Sequence, residues 1–265
     1  MPNPNHLAMR AISVPTKVTA NFPAGFNPRI MCTGDSITAG YTDNPTWSVP
    51  FSYGFRDGLY DLLMATHAGH FTFVGASAEP WNAVFGDPNV NPSTSHRLTD
   101  LGVDHHRGYG GYYVNQIGNN LPAWAAADTP DIILFMAGIN NLTPGQSGEP
   151  TGTEDQLRAA MVDLFAARPT QRVIIAQITP YLTVTPSLNA YNTWIRDVYV
   201  PELVTAGRSV TTVDMYAAMM NGASVPDSAM YSNAYNHPSP AAYARMATAA
   251  YNALLSHLGA IAGTY

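Results

Sequence analysis

Five short apolar runs, separated by longer segments of helical spacing, constrain the fold of this chain more than any other feature. The runs are Arg29–Thr33, His70–Ala76, Asp131–Ala137, Arg172–Ile178 and Ser209–Asp214. They read as strands buried on both faces, the pattern of a parallel sheet covered on each side. The segments between them read as helices. Phe51–His67 carries Phe55, Leu59, Leu62 and Leu63 on one face, and Tyr112–Ala126 follows the second strand after a long loop. Thr153–Ala167 opens on a Thr-Glu-Asp-Gln run and spaces Leu157, Met161 and Leu164 helically. Leu188–Ala206 carries Tyr191, Ile195 and Val198, with a kink expected at Pro201, and Pro240–Leu258 closes the series. Strands alternating with helices predict an α/β fold, a three-layer α/β/α sandwich around a five-stranded parallel sheet. Residues 1–28 read as an irregular lead-in and 29–265 as a single domain. In such sheets functional groups gather beyond the carboxyl ends of the strands, so chemistry is expected just after each apolar run. The stretch Ser77–His106, rich in Pro, Asn, Asp and Ser, is long for a loop. It reads as an insertion over one side of the site, or as a plain surface loop.

Composition narrows the partners. The 265 residues are 46% hydrophobic, enough for a sizeable core, and only 11% charged. The polar surface therefore rests largely on Asn, Thr, Ser, Gln and Tyr, which suits a secreted protein handling neutral substrates. The formal net charge is -6, and Lys17 is the lone lysine. Without a basic footprint nucleic acid is not an expected partner. The negative charge argues against anionic membranes, and no apolar run is long enough to span a bilayer. Cys32 is the single cysteine, so no intrachain disulfide forms, and its place inside the first strand suits a small core residue. The first 28 residues hold no apolar signal core, which leaves a secreted protein whose signal peptide has been removed, or a cytoplasmic one.

Four short motifs stand at the strand ends. Gly34-Asp35-Ser36 follows the first strand directly, where a glycine permits a sharp turn and presents the serine at the sheet edge. Alone, Ser36 would read as a helix cap. Gly110-Gly111 lies in a loop leading into a helix, where backbone N–H groups can face an anion. Gly138-Ile139-Asn140-Asn141 follows the third strand, and the Asn140 amide can donate to a developing oxyanion without adding charge. His237-Pro238 precedes the last helix. Each has a plain structural reading by itself. Together, in order and at matching ends, they supply a nucleophile, oxyanion donors and a base, the parts that acyl transfer requires.

These blocks resemble those of the GDSL (SGNH) hydrolases. Gly34-Asp35-Ser36-Ile37-Thr38-Ala39-Gly40-Tyr41 is similar to the first block, and His106-Arg107-Gly108-Tyr109-Gly110-Gly111-Tyr112 to the second. Gly138-Ile139-Asn140-Asn141 is similar to the third, and His237-Pro238 with Ala241-Ala242-Tyr243 to the fifth. Phe73-Val74-Gly75, Ala176-Gln177-Ile178 and Tyr191-Asn192 resemble carbohydrate esterase family three, and the likeness spans roughly residues 29–258. The resemblance implies the flavodoxin-like SGNH fold and a serine esterase without cofactor or metal. Ser36 would be the nucleophile and His237 the general base. The backbone N–H groups of Ser36 and Gly111 and the side chain of Asn140 would form the oxyanion hole. The implied substrate is an O-acetyl ester on carbohydrate such as acetylated xylan. General aryl or alkyl ester hydrolysis, and a catalytically weakened carbohydrate-binding relative, are the alternatives.

The chain departs from the family pattern twice. Asn141 stands where an Asp thought to be structural is usual. The triad acid is expected three or four residues before the histidine, at Ala234 or Asn233, and neither is acidic. Three arrangements fit. Asn233 or a backbone carbonyl orients His237 in a Ser–His dyad, Asp227 folds into the role, or the chain is a weakened form. Asp104-His105-His106 hints at a metal site, but adjacent histidines point apart and no third ligand is evident. Tyr41, Trp47, Trp81, Tyr109, Tyr112 and Tyr113 fall near the site loops, where they would stack on sugar rings or pack the loops.

Overall fold

The computed structural model describes residues 26–42, 54–67, 70–76, 97–143, 152–183, 185–222, 225–233 and 235–258. The lead-in up to residue 25, Trp47, Trp81, Ala234 and most of the insertion that begins at Ser77 lie outside the described residues.

A parallel sheet forms the centre. Its main path runs β2 (Thr72–Phe73), β1 (Arg29–Gly34), β4 (Ile132–Met136), β5 (Arg172–Gln177) and β6 (Val210–Asp214). A sixth, two-residue strand, β3 (Arg107–Gly108), pairs with the carboxyl end of β1. The five expected strands are therefore present, with one addition. The second is the most shortened. His70–Ala76 contracts to two paired residues, because β2 meets only Arg29 and Ile30 while β3 takes up Thr33 and Gly34 on the same edge. Ile30, Met31, Cys32 and Ile132, Ile133, Leu134 are all buried, as strands covered on both faces must be.

The helices match the expected segments within a few residues. α2 (Phe55–His67) packs on α8 (Pro240–Leu258), and α4 (Val114–Asp128) packs on α5 (Thr153–Ala167). With this strand order, the right-handed crossover general to parallel strands sets the two pairs on opposite faces, giving the three layers. The fourth expected helix runs as α6 (Pro186–Trp194) and α7 (Val200–Thr205), joined by a π-helical turn over Ile195–Tyr199. Pro201 has no N–H and its ring would crowd the carbonyl four residues back. The helix widens before it, the Val200 N–H reaching five residues back to the Ile195 carbonyl. Two single-turn helices, α1 (Ser36–Ala39) and α3 (Arg97–Asp100), and a small antiparallel pair, β7 (Met220–Asn221) with β8 (Val225–Pro226), complete the elements used below.

Strand order reverses at β1. The chain leaves β1 toward β2 on one side and returns through α4 to β4 on the other. A crevice opens at such a switch point, beyond the carboxyl ends of the two central strands. The register makes those ends level, Gly34 lying opposite Met136 on one side and Gly108 on the other.

Candidate active site

Ser36 begins α1, and its position follows from the packing of Gly34. A Cβ at Gly34 would lie 2.1 Å from the Met136 carbonyl oxygen and 2.4 Å from Thr38 Oγ1, so only glycine lets the chain turn so close to β4. Asp35 then caps α1, its Oδ1 accepting from the Ile37 N–H at 3.0 Å. The carbonyls of Thr38 and Ala39 accept from the guanidinium of Arg56, which is fully buried and also donates to the Asp104 carbonyl at 2.7 Å. Arg56 thus fixes the turn that carries Ser36. Sequence reading missed it, since a charge beside Phe55 on an apolar helix looks like a solvated position.

His237 reaches Ser36 from the opposite end of the chain. Its Nε2 lies 2.8 Å from Ser36 Oγ, and both residues are buried. The segment that carries it is a closed loop before α8. Tyr231 and Pro238 form an antiparallel bridge, the Ser232 N–H donates to the His237 carbonyl, and Ser232 Oγ donates to the Thr42 carbonyl at 2.6 Å. Ser239 precedes Pro240 at the start of α8, and its Oγ accepts from the Ala242 N–H. The ring of Tyr41 stands 6.1 Å from the imidazole, and the Tyr41 carbonyl accepts from Tyr243 Oη at 2.7 Å. Tyr41 is buried, so it packs behind the histidine.

Inside the loop, Asn233 meets the second ring nitrogen of His237, its Nδ2 3.1 Å from Nδ1. Its Oδ1 accepts from the backbone N–H groups of Tyr235, Asn236 and His237 at 3.0, 2.9 and 3.0 Å. Asp227 is placed elsewhere, capping a short turn with its Oδ1 on the Ala229 N–H at 3.0 Å. Of the two candidate orienters within the described residues, Asn233 is the one against the imidazole.

The third block follows β4, whose end lies opposite Gly34. Gly138 lies at φ +134°, and a Cβ there would fall 2.7 Å from Cε1 of Tyr191, whose hydroxyl donates to the Ala137 carbonyl. The bend into Asn140 therefore needs glycine on two counts. Tyr181 holds the same turn, donating to the Ile139 carbonyl and meeting Thr143 Oγ1 at 2.7 Å. Asn140 is half-buried, and its Nδ2 donates to the Tyr112 carbonyl at 2.9 Å, which ties the third block to the second. An amide nitrogen carries two hydrogens, so one remains for a ligand. Gly111 sits exposed at φ +76°, in the turn just before α4. Asn141 points away from the crevice. It accepts from the Val114 N–H at 2.9 Å and donates to Gln156 Oε1 at 2.9 Å, which supplies α4 with a partner for an otherwise open amide. An amide oxygen accepts from that N–H as a carboxylate would, so the contact survives the departure at this position.

Two of the blocks singled out for family three also meet. Asn192 accepts from the Ile178 N–H at 2.7 Å and donates to the Ile178 carbonyl at 2.8 Å, pinning α6 to the end of β5. Tyr109 is stacked between Tyr112 and Trp124, with Arg107 over Trp124 and paired to Asp128 at 2.6 Å, so these aromatics pack each other. Among the described residues no three His, Cys, Asp or Glu side chains cluster as metal ligands. His105 faces Asp104, while His106 Nδ1 accepts from the Gly108 N–H at 2.9 Å. No described helix is long and apolar enough to cross a membrane.

Burial shapes the electrostatics. It pushes the Asp35 carboxyl up to about 7, against the opposing pull of the Ile37 N–H and of charge on His237. It pushes the Cys32 thiol up to about 12, so this core cysteine stays protonated. The arrangement can present a serine oxygen to an acyl carbon, with an imidazole at hydrogen-bond distance.

A family model described as "GDSL-like Lipase/Acylhydrolase family" matches residues 32–245. No curated protein matches the chain significantly. Several solved structures share the fold. A carbohydrate esterase family 3 structure from Talaromyces cellulolyticus superposes with TM-score 0.60 at 21% identity, covering 89% of this chain and 100% of its own. A family 3 carbohydrate esterase from Clostridium thermocellum gives 0.60 at 22%, covering 89% and 99%. A catalytic mutant of an acetylxylan esterase from Geobacillus stearothermophilus gives 0.56 at 18%, covering 89% and 95%.

Proposed function

The chain belongs to the GDSL-like lipase/acylhydrolase family and is a carboxylic ester hydrolase, and from that premise we propose that it removes O-acetyl groups from carbohydrate such as acetylated xylan. Ser36 attacks the acyl carbon and His237 accepts its proton. The alkoxide of the tetrahedral intermediate is met by the N–H groups of Ser36 and Gly111 and by the Asn140 amide. The leaving sugar hydroxyl takes the proton back from His237. Water then repeats the sequence on the acyl-enzyme and releases acetate.

The 2.8 Å contact between Ser36 Oγ and His237 Nε2 carries this reading, because it joins two residues 201 positions apart at the switch point of the sheet. The carbohydrate part rests on what the similar structures are named for, and on a sequence poor in charged residues. Two assays test the two parts. Ser36→Ala is expected to lower turnover of p-nitrophenyl acetate by about 10⁴ or more, since covalent catalysis is lost outright. A variant that keeps a tenth of the activity would overturn the assignment of Ser36. Acetate release from acetylated xylan, at a kcat/KM above that for the aryl ester, supports the polysaccharide. Hydrolysis of the aryl ester alone would mark a general esterase.

A further inference from the structure

Resting on the reading of Ser36 and His237 as nucleophile and base, we propose that Asn233 is a positioning residue that holds His237 as the Nε2–H tautomer, so the site rests with its base in the wrong protonation form. The argument turns on which end of one amide faces the imidazole. The Asn233 Oδ1 is committed to three backbone N–H donors, those of Tyr235, Asn236 and His237. Its Nδ2 also lies 3.5 Å from the Asn236 Oδ1. Turning the amide over would set an NH2 group against three N–H donors and an oxygen against Asn236 Oδ1. The three backbone contacts, whose donors cannot change, would become repulsive in a loop closed off by the Tyr231–Pro238 bridge. The amide orientation is therefore fixed by the backbone, with a donor aimed at Nδ1 at 3.1 Å.

A donor at Nδ1 requires a lone pair there. A neutral imidazole carries one proton, so that proton sits on Nε2. At 2.8 Å the Nε2–H then donates to Ser36 Oγ, and no lone pair is left to accept the serine proton. Before attack, the Nε2 proton must be lost to water and another taken up at Nδ1, where it faces the Asn233 NH2 donor to donor. Once Nε2 accepts the serine proton, the resulting imidazolium meets the same opposition. An orienting asparagine that presents its oxygen would favour catalysis, whereas this one presents its nitrogen. A carboxylate differs by a single atom at the same place. In Asn233→Asp one oxygen keeps the three backbone bonds and the other accepts from Nδ1–H, which frees Nε2 as the base.

The test reads tautomer and rate separately. In protein labelled with ¹⁵N-histidine, with His237 identified by its loss in His237→Gln, the wild type is expected to carry its imidazole proton on Nε2 with Nδ1 bare. Asn233→Asp is expected to carry it on Nδ1. A wild-type proton on Nδ1 would overturn the proposal. On an acetyl ester, Asn233→Asp is expected to raise kcat at least about tenfold, toward a ceiling of about 10⁴, with KM little changed. The acidic limb of its rate profile is expected to move to higher pH, because a carboxylate favours the protonated ring. Asp35, the titrating acid whose charge is felt at His237, is the same in both proteins and adds a common background. An unchanged rate with an unmoved limb would also overturn the proposal, since a carboxylate set against Nδ1 would then leave the ring as it was, and position 233 would not control its proton. Ser36→Ala in both backgrounds keeps the two readings apart. If activity survives it, the nucleophile assignment fails, while the spectrum still decides the tautomer.

Discussion

Replacing Asp35 with Asn should stabilise the protein at alkaline pH and slow it at the same time. Asp35 is 1% exposed, and burial lifts its carboxyl from 3.8 to about 7. A raised carboxyl means that the folded state holds a proton the unfolded chain has already lost. The contribution to stability is therefore full below pH 3.8, declines as pH rises toward 7, and is gone above it. The difference between 3.8 and about 7 corresponds to roughly 4 kcal/mol, an upper figure because the loop can relax around the charge. Asparagine keeps the acceptor for the Ile37 N–H and carries no charge. Urea unfolding of wild type and Asp35→Asn is expected to agree near pH 4 and to diverge by up to roughly 4 kcal/mol in favour of the variant at pH 8. Above pH 7, where Asp35 is ionised, the same change removes a negative charge felt at His237, so kcat is expected to fall there. A variant whose advantage is equal at pH 4 and pH 8 would refute the reasoning, because the carboxyl would then not be titrating between them.

Two further outcomes follow from other residues. Asn140→Ala is expected to cut kcat by roughly 10²–10³ with a modest change in KM, since a hydrogen bond to the oxyanion strengthens as charge develops. A pure KM effect would place Asn140 against the ground-state substrate instead. Burial lowers the His257 imidazole to about 4, with its Nε2 2.7 Å from Thr211 Oγ1. A lowered histidine stabilises the fold above pH 6.5 and loses that contribution as pH falls toward 4, by about 3 kcal/mol at most. His257→Gln is expected to flatten stability across that window in thermal unfolding at stepped pH, and an unchanged slope would rule His257 out as its source.

Much of this was legible in the sequence where local chemistry sets the outcome. Thr153–Ala167 and Pro240–Leu258 form helices over the spans read from the sequence. Ser36, Asn140 and His237 were readable as a set because each stands just beyond a strand or just before a helix. Other features depend on distant partners. The second strand shrank because β3 takes half of its edge, a competition no local pattern records. The π-helical turn before Pro201 absorbs a strain whose presence was readable but whose form was not. Asn233 could be placed near His237 by spacing alone. Which end of its amide faces the ring depends on three backbone N–H groups brought together by the closing of the loop. The burial of Arg56 beneath α1 had no sequence signal, since its partners are backbone carbonyls.

The central claim is that Ser36 carries the acyl group. It is tested most directly by acid-quenching the enzyme during turnover of p-nitrophenyl acetate and mapping the acetylated peptide by mass spectrometry. An acetyl group on the side chain of Ser36, absent from Ser36→Ala, is the predicted result. Steady turnover with no acetyl on Ser36, or with the acetyl on another side chain, would contradict the account.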